Sequence, residues 1–375
     1  MGDASRARGE VRLALALVGP GTVGAALLEQ LRAEAPALKD KYGLDLALHS
    51  VTNSRCSLLS HGGAPLDAGA WRDRLLRDGT DASLGLVTEH LKTVPADARA
   101  VLDCTASAAV PRLYARWLDA GIHVVTPNKK LTSGPLDDYS AVKALQRAGA
   151  AHFLYEGACG AGLPIISTLK ALLDTGDAVE RIEGVFSGTL SHIFNSYAPA
   201  GGGEPFSAVV ADAKAAGFTE PDPRDDLSGA DVARKVLTLA RECGLRAELA
   251  DVPVRSLVPD ALAACPAEEY LRHLPEHDAE MAALAAEAAA AGEVLRYVGV
   301  YDAGAGTCEA ALRRFPRAHA FAGLAGTENI IAFTTRRYPA ATPLIVRGPG
   351  AGPAVTAAGV FADVVQLGRY LGAAS

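Results

Sequence analysis

The chain has little sulfur, no surplus of positive charge and no long apolar run. Six cysteines (Cys56, Cys104, Cys159, Cys243, Cys265 and Cys308) are scattered through 375 residues, with no C-x-x-C pair. No histidine stands at a zinc-like spacing from them, so a disulfide framework and structural zinc both lose ground to a reducing compartment. That compartment is the cytoplasm or, for a plant or algal chain, the plastid stroma. No apolar stretch approaches the roughly 20 residues of a membrane span. The first ten residues lack a signal-peptide hydrophobic region, although Ser5, Arg6 and Arg8 leave a trimmed organelle-targeting segment open. A formal net charge of −7 offers no footprint for nucleic acid or an anionic membrane. What is present, 49% hydrophobic residues in a chain of this length, fits one or two globular domains handling a small substrate.

The first 150 residues alternate strand-like and helix-like patterns, the signature of a doubly wound parallel α/β sheet. Val11–Val18 is an apolar run, Thr22–Ala35 has helical spacing, and "LDLALHSV", "RAVLDCT" and "IHVVTP" read as further strands. The stretch from His61 to Pro95 is polar and has no clear order. From about residue 150 the rhythm changes. A helix opens near Pro164, "VERIEGVF" is a strand, "SGTLSHIFNSY" turns into a helix, and an Ala/Glu-rich helix spans Asp278–Ala291. Three strand-like runs then follow, pointing to a mixed or antiparallel sheet in a second, α+β domain. The last 35 residues read as strand, glycine turn and helix, as though returning to the first sheet. The resulting expectation is a discontinuous first domain, 1–150 plus 341–375, around a second domain, 151–340. The run Gly201–Gly203 marks a mobile loop.

"LALALVGPGTVG" places Gly19, Gly21 and Gly24 at G-x-G-x-x-G spacing between a buried strand and a helix. The first glycine makes the turn, the second lets backbone approach a pyrophosphate, and the third permits close helix–strand packing. The helix that starts at Thr22 and Val23 adds unsatisfied N–H groups and a partial positive charge. An ordinary tight turn is the bland alternative, and the strand–turn–helix context favours a dinucleotide. The acid that would hold a ribose 2′-hydroxyl is missing from "HSVTNSR". Asn53, Ser54 and Arg55 would suit a 2′-phosphate instead, unless Arg55 is only a solvated loop residue.

The most unusual stretch is "TEPDPRDDLSGADVARK", where eight of seventeen residues are charged. Two prolines and a glycine hold much of it out of regular structure, and Ser228-Gly-Ala-Asp231 resembles a capping box. Asp231 and Lys235, four apart, share a helix face. Alone, they read as a surface ion pair of little consequence. Glu220, Asp222, Asp225 and Asp226 crowd the preceding loop, however, and like charges held close need a cation or a ligand. A lysine beside such carboxylates can move protons, and a carboxylate can hold a substrate ammonium.

The run Ala213-x3-Gly217-Phe218-Thr219-x-x-Asp222-Pro223-x-x-Asp226-Leu227-x-Gly229-x-Asp231-x3-Lys235 resembles the signature of homoserine dehydrogenase. So do "TPNKK", "EGACGAGLPII", "IEGVFSGTLSHIFN" and "GAGPAVTAAGV", in that order, from about Val11 to Tyr370. The chain is most similar to the short, monofunctional fungal and plant-like form, with no aspartate-kinase region before it and no ACT domain after it. The resemblance implies NAD(P)-dependent interconversion of L-homoserine and L-aspartate 4-semialdehyde, on the way to threonine, methionine and isoleucine, by a homodimer. By position it implies Lys235 as the proton-transferring residue with Asp231, Glu220 on the substrate ammonium, and Asp226 in the same polar network. Gly188 and Thr189 would line the substrate pocket. Lys129 would serve both nicotinamide and substrate, and Thr105 and Gly352 would face the cofactor. Backbone oxygens near Glu156, Cys159, Ala161 and Leu163 would hold sodium, oxygen ligands being suited to a hard cation. Two departures stand out: Phe218 where fungal relatives carry tyrosine, and Pro20 inside the glycine motif. A dehydrogenase of another small amino or hydroxy acid, and a non-catalytic dinucleotide sensor, remain as alternatives.

Overall fold

The computed structural model describes residues 10–149, 151–197 and 203–374. Ser5, Arg6 and Arg8, and Gly201 and Gly202 of the glycine run, lie outside the described residues. The chain divides into two compact units: residues up to Gly162 together with Gly352 onward, and Leu163–Ala351.

The first unit is built on seven strands, β1 (Val11–Val18), β2 (Leu44–Thr52), β3 (Cys56–Leu59), β4 (Thr80–Asp81), β5 (Ala98–Asp103), β6 (Ile122–Val125) and β7 (Phe153–Leu154), in the order β4-β3-β2-β1-β5-β6-β7. The pairs joining β2, β1, β5, β6 and β7 are parallel, and β3 and β4 extend the sheet antiparallel. Leu13, Leu15 and Leu17 of β1 are buried against Leu27, Leu28 and Leu31 of helix Thr22–Tyr42 and Val360, Val364 and Leu367 of helix Pro353–Tyr370. This apolar run is what a strand covered by helices requires. The chain leaves β1 for β2 on one side and later reaches β5 on the other, so the end of β1 is the topological switch point where such sheets bind ligands.

The stretch that has no clear order in sequence contains helices Trp71–Asp78 and Leu84–Thr93. Only Trp71 and Leu75 of the first are buried, too few to set a readable period. Helix Thr22–Tyr42 runs past the expected Ala35, with Pro36 on its exposed side, and stops at Gly43 in the left-handed region.

The second unit carries an antiparallel sheet of five strands, β8 (Val179–Val185), β9 (Glu293–Asp302), β10 (Thr307–Pro316), β11 (Glu328–Thr335) and β12 (Leu344–Pro349), in the order β10-β9-β8-β11-β12. Val185, Val298, Val300, Phe315 and Ile330 form one of its cores. Here the sequence reading needs correction. β12 does not return to the first sheet but pairs with β11, and only the helix after it packs on the first unit's core. Conversely, β7 completes the first sheet beside β6. These two pairings move the boundaries from 150 and 341 to 162 and 352. Pro164 occupies the N-cap position of helix Ile165–Asp174.

Candidate active site

The first unit holds a crevice of about 880 Å³ at the end of β1. Gly19 enters the turn at φ +86°, and a Cβ there would fall 2.6 Å from the Thr105 methyl. Its N–H donates to the Thr52 carbonyl (2.8 Å), and Cys104 N–H donates to the Val18 carbonyl (2.8 Å), so the turn is pinned to β2 and β5. Gly24 is pressed against the turn: a Cβ would lie 2.2 Å from the Gly19 carbonyl oxygen. Gly21 is different, with no atom within 4 Å of a Cβ position. It is the N-cap of helix Thr22–Tyr42, whose first turn carries no acidic residue. An open glycine at a helix N-terminus suits a pyrophosphate, and Pro20 beside it does not close the crevice. Ser54, Arg55 and Arg72 line the cavity with Trp71 and Leu75, and no carboxylate does. The Asn53 side chain is engaged differently: its Oδ1 accepts the N–H groups of Arg55 and Cys56 (2.7 Å each), fixing the β2–β3 turn that presents Arg55. Arg72 was not legible in the sequence, because nothing there marked Trp71–Asp78 as a helix.

Behind Thr105 lies a buried polar network. Asp103, fully buried at the end of β5, accepts from Thr105 N–H (2.9 Å), the Tyr114 hydroxyl (2.5 Å) and Asn128 Nδ2 (3.1 Å). Burial pushes the Asp103 carboxyl up, and the hydrogen bonds from Tyr114, Thr105 and Asn128 oppose it. Asn128 also donates to the Ser107 carbonyl (2.9 Å) and accepts from Lys130 N–H (3.0 Å). The Lys129 carbonyl accepts from Ser133 N–H (3.0 Å) and from both the Thr132 and Ser133 hydroxyls. The "PNKK" segment is thereby tied to β5. Lys129 itself is not among the residues lining the crevice, and neither are Thr22, Val23, Gly24 and Gly352. Gly352 is the N-cap of helix Pro353–Tyr370, at φ +122°.

In the second unit the charged stretch sorts its carboxylates. Asp222 caps a short helix, Pro223–Leu227, and pairs with Arg224 at 2.6 Å. This replaces the expected irregular loop, since Pro223 sits where a proline is well tolerated in a helix. Asp225 faces solvent. Asp226 remains inside, its Oδ2 accepting from Glu220 N–H at 2.8 Å. Burial pushes the Asp226 carboxyl up; the Glu220 N–H and Thr189 counter this, and the charges of Glu220 and Asp231 add to the rise. The Thr189 hydroxyl donates to the Phe218 carbonyl (2.6 Å), and the Phe218 ring, 42% exposed, packs at 4.3 Å on His192. Gly188 opens helix Gly188–Ser196, and a Cβ on it would lie 3.2 Å from the Ala351 Cβ.

Helix Ala230–Glu242 is entered through Gly229 at φ +73°, not through a capping box. Ser228 accepts from Ala230 N–H (3.3 Å) and donates to the Asp225 carbonyl. The Lys235 side chain is only 12% exposed. Its Nζ lies 2.7 Å from Asp231 Oδ2 and donates to the Phe186 carbonyl at 2.8 Å. A surface ion pair has neither that burial nor that third partner. The Phe186 carbonyl could not be found by spacing, for it stands 49 residues from Lys235.

Glu156 begins a single 3-10 turn, Glu156–Ala158, and its N–H donates to Asp363 Oδ2 at 2.7 Å. Ala161, at φ +55°, is the one non-glycine with positive φ among the described residues. The Ala161 carbonyl oxygen is 2.5 Å from where a Gly359 Cβ would lie, so the loop is held tightly beneath the last helix. No group of three or more His, Cys, Asp or Glu able to hold a metal occurs among the described residues. A cation here therefore depends on backbone oxygens, of which Leu163 O already accepts Ile165 N–H and Glu156 O accepts Cys159 N–H. Each keeps a second lone pair.

The chain is similar to known proteins. Residues 19–156 match the family model for the homoserine dehydrogenase NAD binding domain, and residues 164–365 the model for homoserine dehydrogenase. The chloroplastic bifunctional aspartokinase/homoserine dehydrogenase 2 of Zea mays is 53% identical over 97% of this chain. The chain spans about two fifths (39%) of that relative's length. The homoserine dehydrogenase of Schizosaccharomyces pombe is 40% identical, with 94% of each chain covered. A solved Candida auris protein of unknown function superposes with a TM-score of 0.89 at 33% identity, covering 97% of this chain and 99% of its own.

Proposed function

The chain belongs to the homoserine dehydrogenase family, and from that premise we propose that it interconverts L-homoserine and L-aspartate 4-semialdehyde with NADP or NAD. The observation that carries this reading is the Lys235 ammonium, removed from solvent and held between Asp231 and the Phe186 carbonyl on the helix next to Asp226 and Glu220. As the neutral amine, Lys235 takes the hydroxyl proton of homoserine while the alcohol is oxidised, directly or through water, and as the ammonium it returns that proton in reduction. Asp231 orients it. Glu220 holds the substrate ammonium, with Asp226 in the same network, and Gly188 and Thr189 border the substrate. Thr105 and Lys129 serve the cofactor side.

The bound nicotinamide supplies the hydride acceptor and donor. The chain's part is to hold the dinucleotide: Gly19, Gly21 and Gly24 shape the turn, Thr22 and Val23 offer first-turn N–H groups to the pyrophosphate, and Gly352 completes the site. Arg55, with Arg72 nearby and no carboxylate in the crevice, favours a 2′-phosphate and hence NADP. Backbone oxygens of Glu156, Cys159, Ala161 and Leu163 hold sodium, and the second unit's sheet supplies a homodimer interface. Omission of monovalent cations from the assay and the solution mass at micromolar concentration test these last two points. The six cysteines are all free, which supports a reducing compartment, cytoplasmic or plastid. Among the described residues no helix is long and apolar enough to cross a membrane.

Initial rates with homoserine and with aspartate semialdehyde, against both cofactors, test the reading. Turnover is expected with this pair, and Arg55→Ala should weaken NADP more than NAD. Turnover only with another amino or hydroxy acid would replace the substrate assignment. An equal effect of Arg55→Ala on both cofactors would remove Arg55 from the phosphate site.

A further inference from the structure

Asn329, the second residue of β11, is fully buried. The β8–β11 register pairs Ile330 with Val185, which sets Asn329 beside Phe186, one residue beyond the end of β8. Its Nδ2 donates to the Phe186 carbonyl at 3.0 Å. This is the same oxygen that accepts from Lys235 Nζ at 2.8 Å. A carbonyl oxygen has two lone pairs, and here the amide and the ammonium take both. The other half of the amide gains nothing: Asn329 Oδ1 is buried without a hydrogen-bond partner. A buried polar side chain satisfied on one side only is a cost that an apolar residue of similar size would avoid.

The surrounding backbone makes room for this side chain. A Cβ on Gly350 would lie 1.9 Å from Asn329 Cγ and 2.4 Å from its Oδ1. Gly350 is the first glycine of the "GAGPAVTAAGV" segment, and the Asn329 side chain is what requires a glycine there. The amide nitrogen faces Phe186, because the reverse orientation would set two oxygens against each other.

We propose that Asn329 is a positioning residue for proton transfer: it holds the Phe186 carbonyl, and that carbonyl together with Asp231 fixes where the Lys235 ammonium stands. The inference rests on the reading of Lys235 as the proton-transferring group. Without the amide, the Phe186 peptide is free to tilt, and the acceptor that it offers Lys235 beside Asp231 is no longer fixed. A misplacement of that kind at a reacting group costs rate out of proportion to its size.

Asn329→Ala should lower kcat by roughly ten- to a hundredfold while dinucleotide affinity, a property of the first unit, stays unchanged. In a Lys235→Ala background the same substitution should cost nothing further, since nothing remains to be positioned. Asn329→Asp supplies a second readout that survives poor folding of the alanine variant. A protonated aspartic acid can donate to the Phe186 carbonyl and an aspartate cannot. The deficit of this variant in semialdehyde reduction should therefore close as pH falls, which a purely structural asparagine would not produce. Equal losses from Asn329→Ala with and without Lys235, or an Asn329→Asp deficit that does not change with pH, overturn the inference and leave the role of Lys235 standing. Near-normal turnover of Lys235→Ala overturns both.

Discussion

Asp226 sits half-buried with Glu220 and Asp231 as negative neighbours, and burial is the first cause of its raised pKa. A carboxyl whose folded pKa exceeds its unfolded value binds protons more tightly in the fold. Its contribution to stability is then lost as pH rises from the unfolded pKa through the folded one. Asp226→Asn should therefore raise the melting temperature at pH 7 to 8, and the gain should vanish below roughly pH 3.9, where both states of the wild-type carboxyl are neutral. The KM for homoserine should rise in the same variant. A lower melting temperature at neutral pH would show that the Glu220 N–H and Thr189 more than compensate the charge. At this scale the sequence was informative about pairs and silent about thirds. The i,i+4 spacing of Asp231 and Lys235 specified their 2.7 Å contact, because helix geometry alone brings them together. It had no means of specifying the Phe186 carbonyl or Asn329, which reach Lys235 through strand pairing. It also overcounted the acids: Asp222 is matched by Arg224, two residues away, and Asp225 faces water.

Helix Ala230–Glu242 carries Asp231 and Lys235, and its direction is set at Gly229. A Cβ at that position would lie 1.9 Å from the Tyr297 hydroxyl, in addition to the strain of φ +73°. Gly229→Ala should cost about 1–2 kcal/mol for the backbone and about 1–3 kcal/mol more for overpacking. Gly244, at φ +94° with no atom within 4 Å of a Cβ, isolates the backbone share. Urea midpoints should place Gly229→Ala well below Gly244→Ala, and equal midpoints would show that Tyr297 yields freely. The serine before this helix looks like a capping residue in sequence and serves the turn instead, because the tertiary contact with Tyr297 decides the entry. The same limit explains the segment 61–95 and the strand Leu344–Pro349. Period and turn residues identified elements with an internal pattern, such as β1 and the helix after it. They could not say that Leu344–Pro349 pairs with β11, for sheet membership is a property of two segments.

Across the whole molecule the residues proposed for the chemistry are divided between two units of one chain. The first contains the glycine turn, Arg55 and the Asp103–Asn128 network that ties down "PNKK". The second contains Asp226, Asp231 and Lys235 on successive helices. That division was legible in outline, because the change from alternating strands and helices to strand runs is a change of period; its boundaries were not, since they follow from β7 and β12 finding partners. It also yields the most direct test. If Lys235 transfers the proton, Lys235→Ala should lower kcat by a factor on the order of 10²–10⁴, the range of a positioned general acid–base group. Dinucleotide affinity, set by the other unit, should be nearly unchanged. A folded Lys235→Ala protein with near-normal turnover of homoserine would reduce Lys235 and Asp231 to an ion pair and contradict the account at its centre.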